Sequence, residues 1–363
     1  MENVIAFVVP SDRHPQMGSS YYRAILPTIK NYSNKDLKFM ITYSMSIVDL
    51  EDGSQAVAVN SAGTWIVPRY LIILCGGIQK DFFDIAKKSG QKMILSIDDD
   101  VFNFENYTPM TRDNSDNFNE MFKNCDGVVT STDLLATRIK EYSEFTLETL
   151  VLPNLYPIEI LNSHFAEFKL QNYKYYLEHN ILRVGTRLWT KYRVQADFIA
   201  WRELFTRLKD KCKELNVTHV QFFHIGSESN GENKDILQEI FEEYFPGEGG
   251  KYIPFQSMSI PVLLASMPYT YEIELFALGD HRFNEVKTRS HGIEAGIAGL
   301  PCFFVDKTAN QIYKNFPNLT TFTEEDYTKN YVQTVRFALD EASNNWERFK
   351  FAVTKLNIFS KKD

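Results

Sequence analysis

Between Phe283 and Val305 the chain groups an amide, a cation, hydroxyls and a carboxylate in one short stretch. It runs Phe283-Asn284-Glu285-Val286-Lys287-Thr288, then Glu294-Ala295, then Gly299-Leu300-Pro301-Cys302-Phe303-Phe304-Val305. The pattern reads as loop, helix, stop and strand, with Gly299 and Pro301 ending the helix before the apolar run. A helix start offers unpaired backbone N–H groups and the positive end of the peptide dipoles to an anion. With Lys287 and Thr288 beside it, and Glu294 able to accept hydrogen bonds from sugar hydroxyls, the stretch suits a nucleoside diphosphate that carries a sugar. An ordinary βαβ connection with polar loop residues has the same composition, so the stretch alone leaves that alternative open.

A second group of cations follows another apolar run, in Arg183-Val184-Gly185-Thr186-Arg187-Leu188-Trp189-Thr190-Lys191. Gly185 lets backbone approach a ligand, and Arg187 and Lys191 suit the neutralising of a departing diphosphate. His224-Ile225-Gly226-Ser227 ends a third run and is placed to line the same pocket, although a histidine inside such a run also reads as a hydrogen-bonded core residue. Asp98-Asp99-Asp100 puts three mutually repelling carboxylates at a strand end. They suit an acceptor-side base or hydrogen-bond acceptor, and equally a helix cap or a solvated acidic turn. A divalent metal is a further option there, but the second half supplies its own cations for phosphate, so no metal is expected. The loop Pro10 to Ser20 has one glycine and no GxGxxG, which argues against a nicotinamide or flavin enzyme. Within it Gly18 and Ser19 offer backbone N–H groups to an acceptor, or simply cap a helix.

These groups need elements to position them. Apolar runs at Val4–Val9, Leu37–Thr42, Leu71–Leu74, Lys92–Ile97, Gly127–Thr130 and Thr149–Leu152 read as strands buried on both faces. Helical patterns such as Ser19 to Lys30 and Thr132 to Tyr142 lie between them, and this alternation implies a parallel sheet. After an aromatic, poorly periodic stretch from Leu155 to Asn180, the alternation resumes. Strands are expected at Leu182–Gly185, His219–Ile225 and Glu272–Leu278. Helices are expected at Ala196–Leu215, Lys234–Tyr244 and Ile260–Ala265, and two more after Glu324. At 363 residues, 44% hydrophobic, the chain exceeds what one core usually fills. The expected division is 1–170, 171–335 and a terminal helix over 336–363. The net charge of −8 argues against a broad basic surface for nucleic acid. The four widely spaced cysteines imply no disulfide framework. With no apolar stretch of membrane-spanning length, a soluble cytoplasmic protein is expected.

Five stretches together resemble the retaining glycosyltransferases of family 4. They are Gly18-Ser19-Ser20-Tyr21-Tyr22-Arg23 with Pro27, Cys125 to Thr132, Val151-Leu152-Pro153-Asn154, Arg183 to Lys191, and Phe283 to Pro301. The resemblance implies the GT-B fold, two Rossmann-like α/β domains facing across a cleft, with the C-terminal helix packing back on the first. It implies that Glu294 holds the ribose or sugar of the donor and that Arg187 and Lys191 hold its diphosphate, with Gly185, His224, Gly226, Asn284, Lys287 and Thr288 around them. Gly18, Ser19, Tyr22, Arg23 and Asp99 would face the acceptor, and Asp98, Asp99 and Asp100 with Arg187 and Lys191 would carry the chemistry. The sequence departs from the commoner pattern in having Val286 eight residues before Glu294, where relatives carry a second glutamate. It also has the aspartate triplet where many relatives have a histidine. The expected activity is transfer of a hexosyl or pentosyl unit from a nucleoside-diphosphate sugar, with UDP favoured, to a hydroxyl acceptor, without a tightly bound cofactor. The acceptor is a saccharide or a hydroxymethylated base in phage-type DNA. A sugar-nucleotide epimerase of the same fold and a non-catalytic sugar-nucleotide binding module remain as alternatives, and the oligomeric state is open.

Overall fold

A computed structural model of the chain describes residues 2–9, 18–31, 37–61, 63–74, 78–100, 121–142, 147–161, 165–190, 193–229 and 233–360. The chain divides into two compact units, Met1–Leu155 with Asn344–Asp363, and Tyr156–Ser343.

In the first unit the strands are β1 (Glu2–Val8), β2 (Lys38–Thr42), β3 (Met45–Asp49), β4 (Gln55–Ser61), β5 (Thr64–Ile66), β6 (Pro68–Leu74), β7 (Lys92–Ile97), β8 (Gly127–Thr130) and β9 (Thr149–Val151). Six of them form a parallel sheet in the order β2-β1-β6-β7-β8-β9. Residues 4–8 of β1 and 93–97 of β7 are buried without a break, as strands covered on both faces must be. The antiparallel sheet β3-β4-β5 was not expected. Its hairpin turns at Asp52-Gly53, where Gly53 has φ +81° and the Asp52 carboxylate accepts from the Ser54 N–H. That dipeptide is a turn signal passed over in the sequence. Helix α1 is continuous through Gly18–Ser20, Tyr21–Ile25 and Leu26–Lys30, and its middle turn is widened to a π turn. Pro27 gives the physical reason: its ring crowds the carbonyl four residues back, at Arg23, which the wider turn displaces. Two further helices are α2 (Lys80–Lys88) and α3 (Asp133–Tyr142).

In the second unit the strands are β10 (Ile181–Arg187), β11 (His219–Ile225), β12 (Gly250–Phe255), β13 (Ile273–Leu278) and β14 (Cys302–Asp306). They are parallel, in the order β12-β11-β10-β13-β14. The chain therefore builds outward from β10 on one side and then returns to build on the other. The point of reversal, between β10 and β13, is where open parallel sheets leave a crevice beyond the strand ends. The helices are α4 (Phe165–Glu178), α5 (Gln195–Glu214), α6 (Ile236–Tyr244), α7 (Ile260–Thr270), α8 (Arg282–Glu285) and α9 (Ser290–Ile297). Helix α5, expected from the sequence, supplies much of the core of this unit. Trp201, Leu204, Phe205 and Leu208 are wholly buried, and Phe205 packs edge-on against Phe222 of β11 at 5.4 Å between ring centroids. Strand β12 escaped the sequence reading because it is a half-exposed edge strand, with Pro254 in it and no apolar run. The segment read as poorly periodic contains α4, fixed by the wholly buried Lys169, whose ammonium donates to the Tyr271 carbonyl at 2.5 Å.

The tail is one helix, α10 (Glu324–Thr354), not two. Its first half belongs to the second unit, where Tyr327 stacks on Tyr173 at 4.1 Å. From Asn344 it belongs to the first, where Arg348 pairs with Asp133 at 2.8 Å and Phe349 meets Phe39. The terminal helix thus returns to the N-terminal unit, as the fold expectation has it. Among the described residues no helix is long and apolar enough to cross a membrane.

Candidate functional site

At the reversal point of the second sheet, β10 ends on Arg187, and its guanidinium Nη2 lies 2.6 and 2.8 Å from the two oxygens of Glu294 on α9. The glutamate is buried, while a quarter of the arginine side chain remains exposed. A charge-assisted pair of this geometry holds the arginine at the strand end, with part of its cation facing outward. The N-cap of α9, Arg289, makes no side-chain capping bond, so the opening N–H groups of this helix are not closed off by a cap. Lys287 lies in the turn before the helix, its ammonium 4.0 Å from the centre of the Phe283 ring. Thr288 shares a hydrogen bond of 2.6 Å with Ser290, and Ser290 in turn meets the Tyr156 hydroxyl at 2.8 Å.

Behind this front lies a buried layer that the sequence did not point to. Glu274, the cross-strand partner of Gly185, accepts a 2.6 Å hydrogen bond from the Tyr271 hydroxyl. Burial, reinforced by the charge of Glu294, pushes the Glu274 carboxyl up to about 8, against the pull of Tyr271 and of Arg187. His291, in the first turn of α9, points Nδ1 at Glu274 Oε1 from 3.9 Å and Nε2 at Arg193 Nη2 from 3.5 Å. A guanidinium can only donate, so Nε2 is the bare nitrogen and the proton sits on Nδ1, facing Glu274. Burial, then the charges of Arg187, Arg193 and Lys287, hold the imidazole well below its usual range. Three cations and the Glu274 carboxyl thus act on one neutral histidine.

Gly185 is small for an internal reason. A Cβ there would come within 2.3 Å of the Tyr271 ring, so the glycine seats the tyrosine that holds Glu274. Gly226, at φ +93°, likewise makes room for Trp189, where a Cβ would fall 2.5 Å from the indole. His224 is wholly buried, with Nε2 at 2.7 Å from the Leu188 carbonyl and Nδ1 on the Tyr252 hydroxyl. This imidazole, with Ser227 and Asp235, has the membership of a nucleophilic triad but not its geometry, since Ser227 bonds directly to Asp235. Burial would raise the Asp235 carboxyl, but His224, Ser227 and the Gln238 N–H outweigh it and hold the group below its usual range.

Asn284 is wholly buried, and its amide donates to Asp197 Oδ1 at 2.7 Å and to the Gly279 carbonyl at 3.0 Å. Asp197 also accepts the Gly279 N–H at 2.8 Å. The asparagine therefore clamps the turn after β13 onto the start of α5 and positions the loop that carries Lys287. Lys191 lies outside the described residues.

In the first unit Arg23 and Tyr22, two of the residues expected at the acceptor, are held in the scaffold. Arg23, 3% exposed, donates to Ser96 Oγ at 2.9 Å, the Leu152 carbonyl at 3.1 Å and Asn154 Oδ1 at 3.2 Å. It ties α1 to the carboxyl ends of β7 and β9. Asp100 is paired with Arg138 of α3 at 3.1 Å, both almost fully buried. Asp98 and Asp99 are half-buried just beyond β7, where the Ser131 hydroxyl donates to the Asp98 carbonyl at 3.4 Å. Tyr22 is buried and its carbonyl accepts from Leu155 N–H at 3.3 Å. Gly18 opens α1 at φ +50° with open space where a side chain would be. Ser19 follows it in the helix, and its side chain lies outside the described residues.

No protein-family model matches the sequence, and no curated protein does. Solved structures do match over nearly the whole chain. A glycosyltransferase from Rickettsia africae ESF-5 covers 99% of both chains at 11% identity, with a TM-score of 0.55. The Anabaena protein Alr3699/HepE in complex with UDP and glucose covers 98% of this chain and 99% of its own, at 11% identity and a TM-score of 0.51. Trehalose-6-phosphate synthase OtsA covers 99% of both at 11% identity and a TM-score of 0.51. At such identity the likeness carries the fold: the chain has the two-unit α/β fold of the GT-B glycosyltransferases.

Proposed function

We propose that this chain is a glycosyltransferase that moves a sugar, with retention, from a nucleoside-diphosphate donor to a saccharide hydroxyl. The observation that carries the reading is the Arg187–Glu294 pair at the reversal point of the second sheet, beside Lys287 and the uncapped start of α9. Arginine, lysine and helix N–H groups are what a diphosphate requires, and a buried carboxylate is what a ribose or sugar hydroxyl requires. Chemically, breaking the anomeric C–O bond gives the sugar carbon a positive charge and leaves the matching one further unit of negative charge on the departing diphosphate. Arg187 and Lys287 oppose that charge where it develops, which is the larger part of such catalysis. Glu294 would anchor the donor and hold Arg187 toward it.

UDP is the proposed nucleotide, supported by the complex of the Anabaena neighbour with UDP and glucose. The saccharide acceptor is preferred to DNA because the chain is acidic, at −8. The test is release of nucleotide from a panel of UDP-hexoses and UDP-pentoses with and without saccharide acceptors, by the wild type and by Glu294→Ala and Lys287→Ala. Acceptor-dependent release that both substitutions abolish supports the reading. Unchanged release in both variants would remove the site assignment. Conversion of the donor without any acceptor would indicate an epimerase, and binding without release a non-catalytic module.

A further inference from the structure

Glu274 is a buried carboxyl that the chemistry above leaves unused. It lies on β13 opposite Gly185, on the face of the sheet from which Arg187 projects two residues further on. It is 1% exposed. Every element packed around it presents a charged or titratable group. Tyr271, just before β13, donates to Oε2 at 2.6 Å. From β10 come the charge and the backbone N–H of Arg187, from α9 come Glu294 and the His291 Nδ1 at 3.9 Å, and from β14 comes the Cys302 thiol. Arg193 and Lys287 reach the same histidine from its far side.

Resting on the donor reading given above, we propose that Glu274 is a positioning residue of the donor site, whose protonation state sets how much of the Arg187 charge a bound diphosphate receives. While the carboxyl is neutral, Arg187 is paired with Glu294, and a quarter of the arginine side chain is exposed. Once ionised, Glu274 becomes a second buried anion beside Arg187. It then draws the guanidinium inward and repels the incoming phosphate through a medium of low polarisability. Burial places this ionisation near pH 8, so the donor site loses strength on the alkaline side of neutrality.

The experiment is a calorimetric titration with UDP between pH 6.5 and 9, on the wild type, Glu274→Gln and Tyr271→Phe. Each protein is first checked for a cooperative thermal transition, and in parallel the protonated carboxyl of Glu274 is followed by infrared difference against Glu274→Gln. The wild-type Kd rises by about tenfold or more across the range, as a unit charge a few ångströms from a guanidinium requires. In Glu274→Gln the rise disappears, and any titration of UDP itself remains as the common background. In Tyr271→Phe the rise moves to higher pH, since a hydrogen bond that favours the carboxylate has been removed. A wild-type affinity that does not change with pH, or a Glu274→Gln variant that keeps the wild-type break, overturns the assignment. If UDP fails to bind at every pH while the infrared band still titrates, the donor reading itself falls, and this inference falls with it.

Discussion

Both units place an arginine at the carboxyl end of a parallel sheet, and they treat it in opposite ways. In the first, Arg23 is turned inward onto a serine, an asparagine and a backbone carbonyl, and Asp100 is closed onto Arg138. In the second, Arg187 is held by one carboxylate, keeps a quarter of its side chain exposed, and stands among Lys287, His291 and a carboxyl shifted to about 8. A buried charge enclosed by protein partners serves the scaffold. Partly exposed cations gathered with perturbed acids at a reversal point form a site. On the proposed reading donor chemistry belongs to the second unit, and substitutions in the two units are predicted to fail differently.

The largest effect is expected at the open end of the contrast. Arg187→Ala removes the cation proposed to oppose leaving-group charge and takes an ion-pair partner from the buried Glu294. Nucleotide-sugar turnover should fall by about 10²–10³-fold, measured as kcat/KM on the donor with the best wild-type rate. At the closed end, Arg138→Ala takes from the buried Asp100 its ion-pair partner and should cost about 3–5 kcal/mol of stability. Denaturant unfolding reads this, and turnover per folded molecule should stay near the wild-type value. Equal losses of turnover in the two variants would break the comparison. Gly185→Ala drives a methyl into the Tyr271 ring and should cost about 1–3 kcal/mol, with a weaker affinity for UDP because Glu274 is displaced.

The smallest expected effect is in pH dependence. Glu274 has its folded value raised, so the stability it contributes is fully present below the ordinary carboxylate range and is lost as pH rises toward about 8. Glu274→Gln should therefore gain in melting temperature relative to the wild type between pH 5 and pH 8, with no further gain above. Asp235 is shifted the other way: its contribution is present above the ordinary carboxylate range and is lost as pH falls through its depressed folded value. Acid unfolding monitored on Asp235→Asn should lose part of the wild-type dependence at low pH.

Much of this was legible beforehand where local pattern and chemistry coincide. Glu294, Lys287 and the helix between them could be read because glycine and proline punctuate them, and Arg187 because it ends an apolar run. Glu274 was not, because a lone acid inside Ile273–Leu278 is submerged in a strand that reads as core, and only the fold brings Arg187 beside it. The only local sign was an acidic residue where an apolar one belongs. The partnership of Asp100 with Arg138 spans 38 residues, so the sequence left the aspartate triplet open between an acceptor-side group, a helix cap and a solvated acidic turn. Asn284 was grouped with the donor-site residues, and because its partner Asp197 lies 87 residues away, its part in fixing the loop emerged only from the packing.

The central claim, that the second unit grips the diphosphate of a nucleotide sugar, is tested most directly by a crystal structure with UDP-glucose bound. The diphosphate should lie at the mouth of α9 within hydrogen-bonding distance of Arg187 and Lys287, with a ribose or glucose hydroxyl on Glu294. Density for the nucleotide anywhere else, with the Arg187–Glu294 pair untouched, would contradict it.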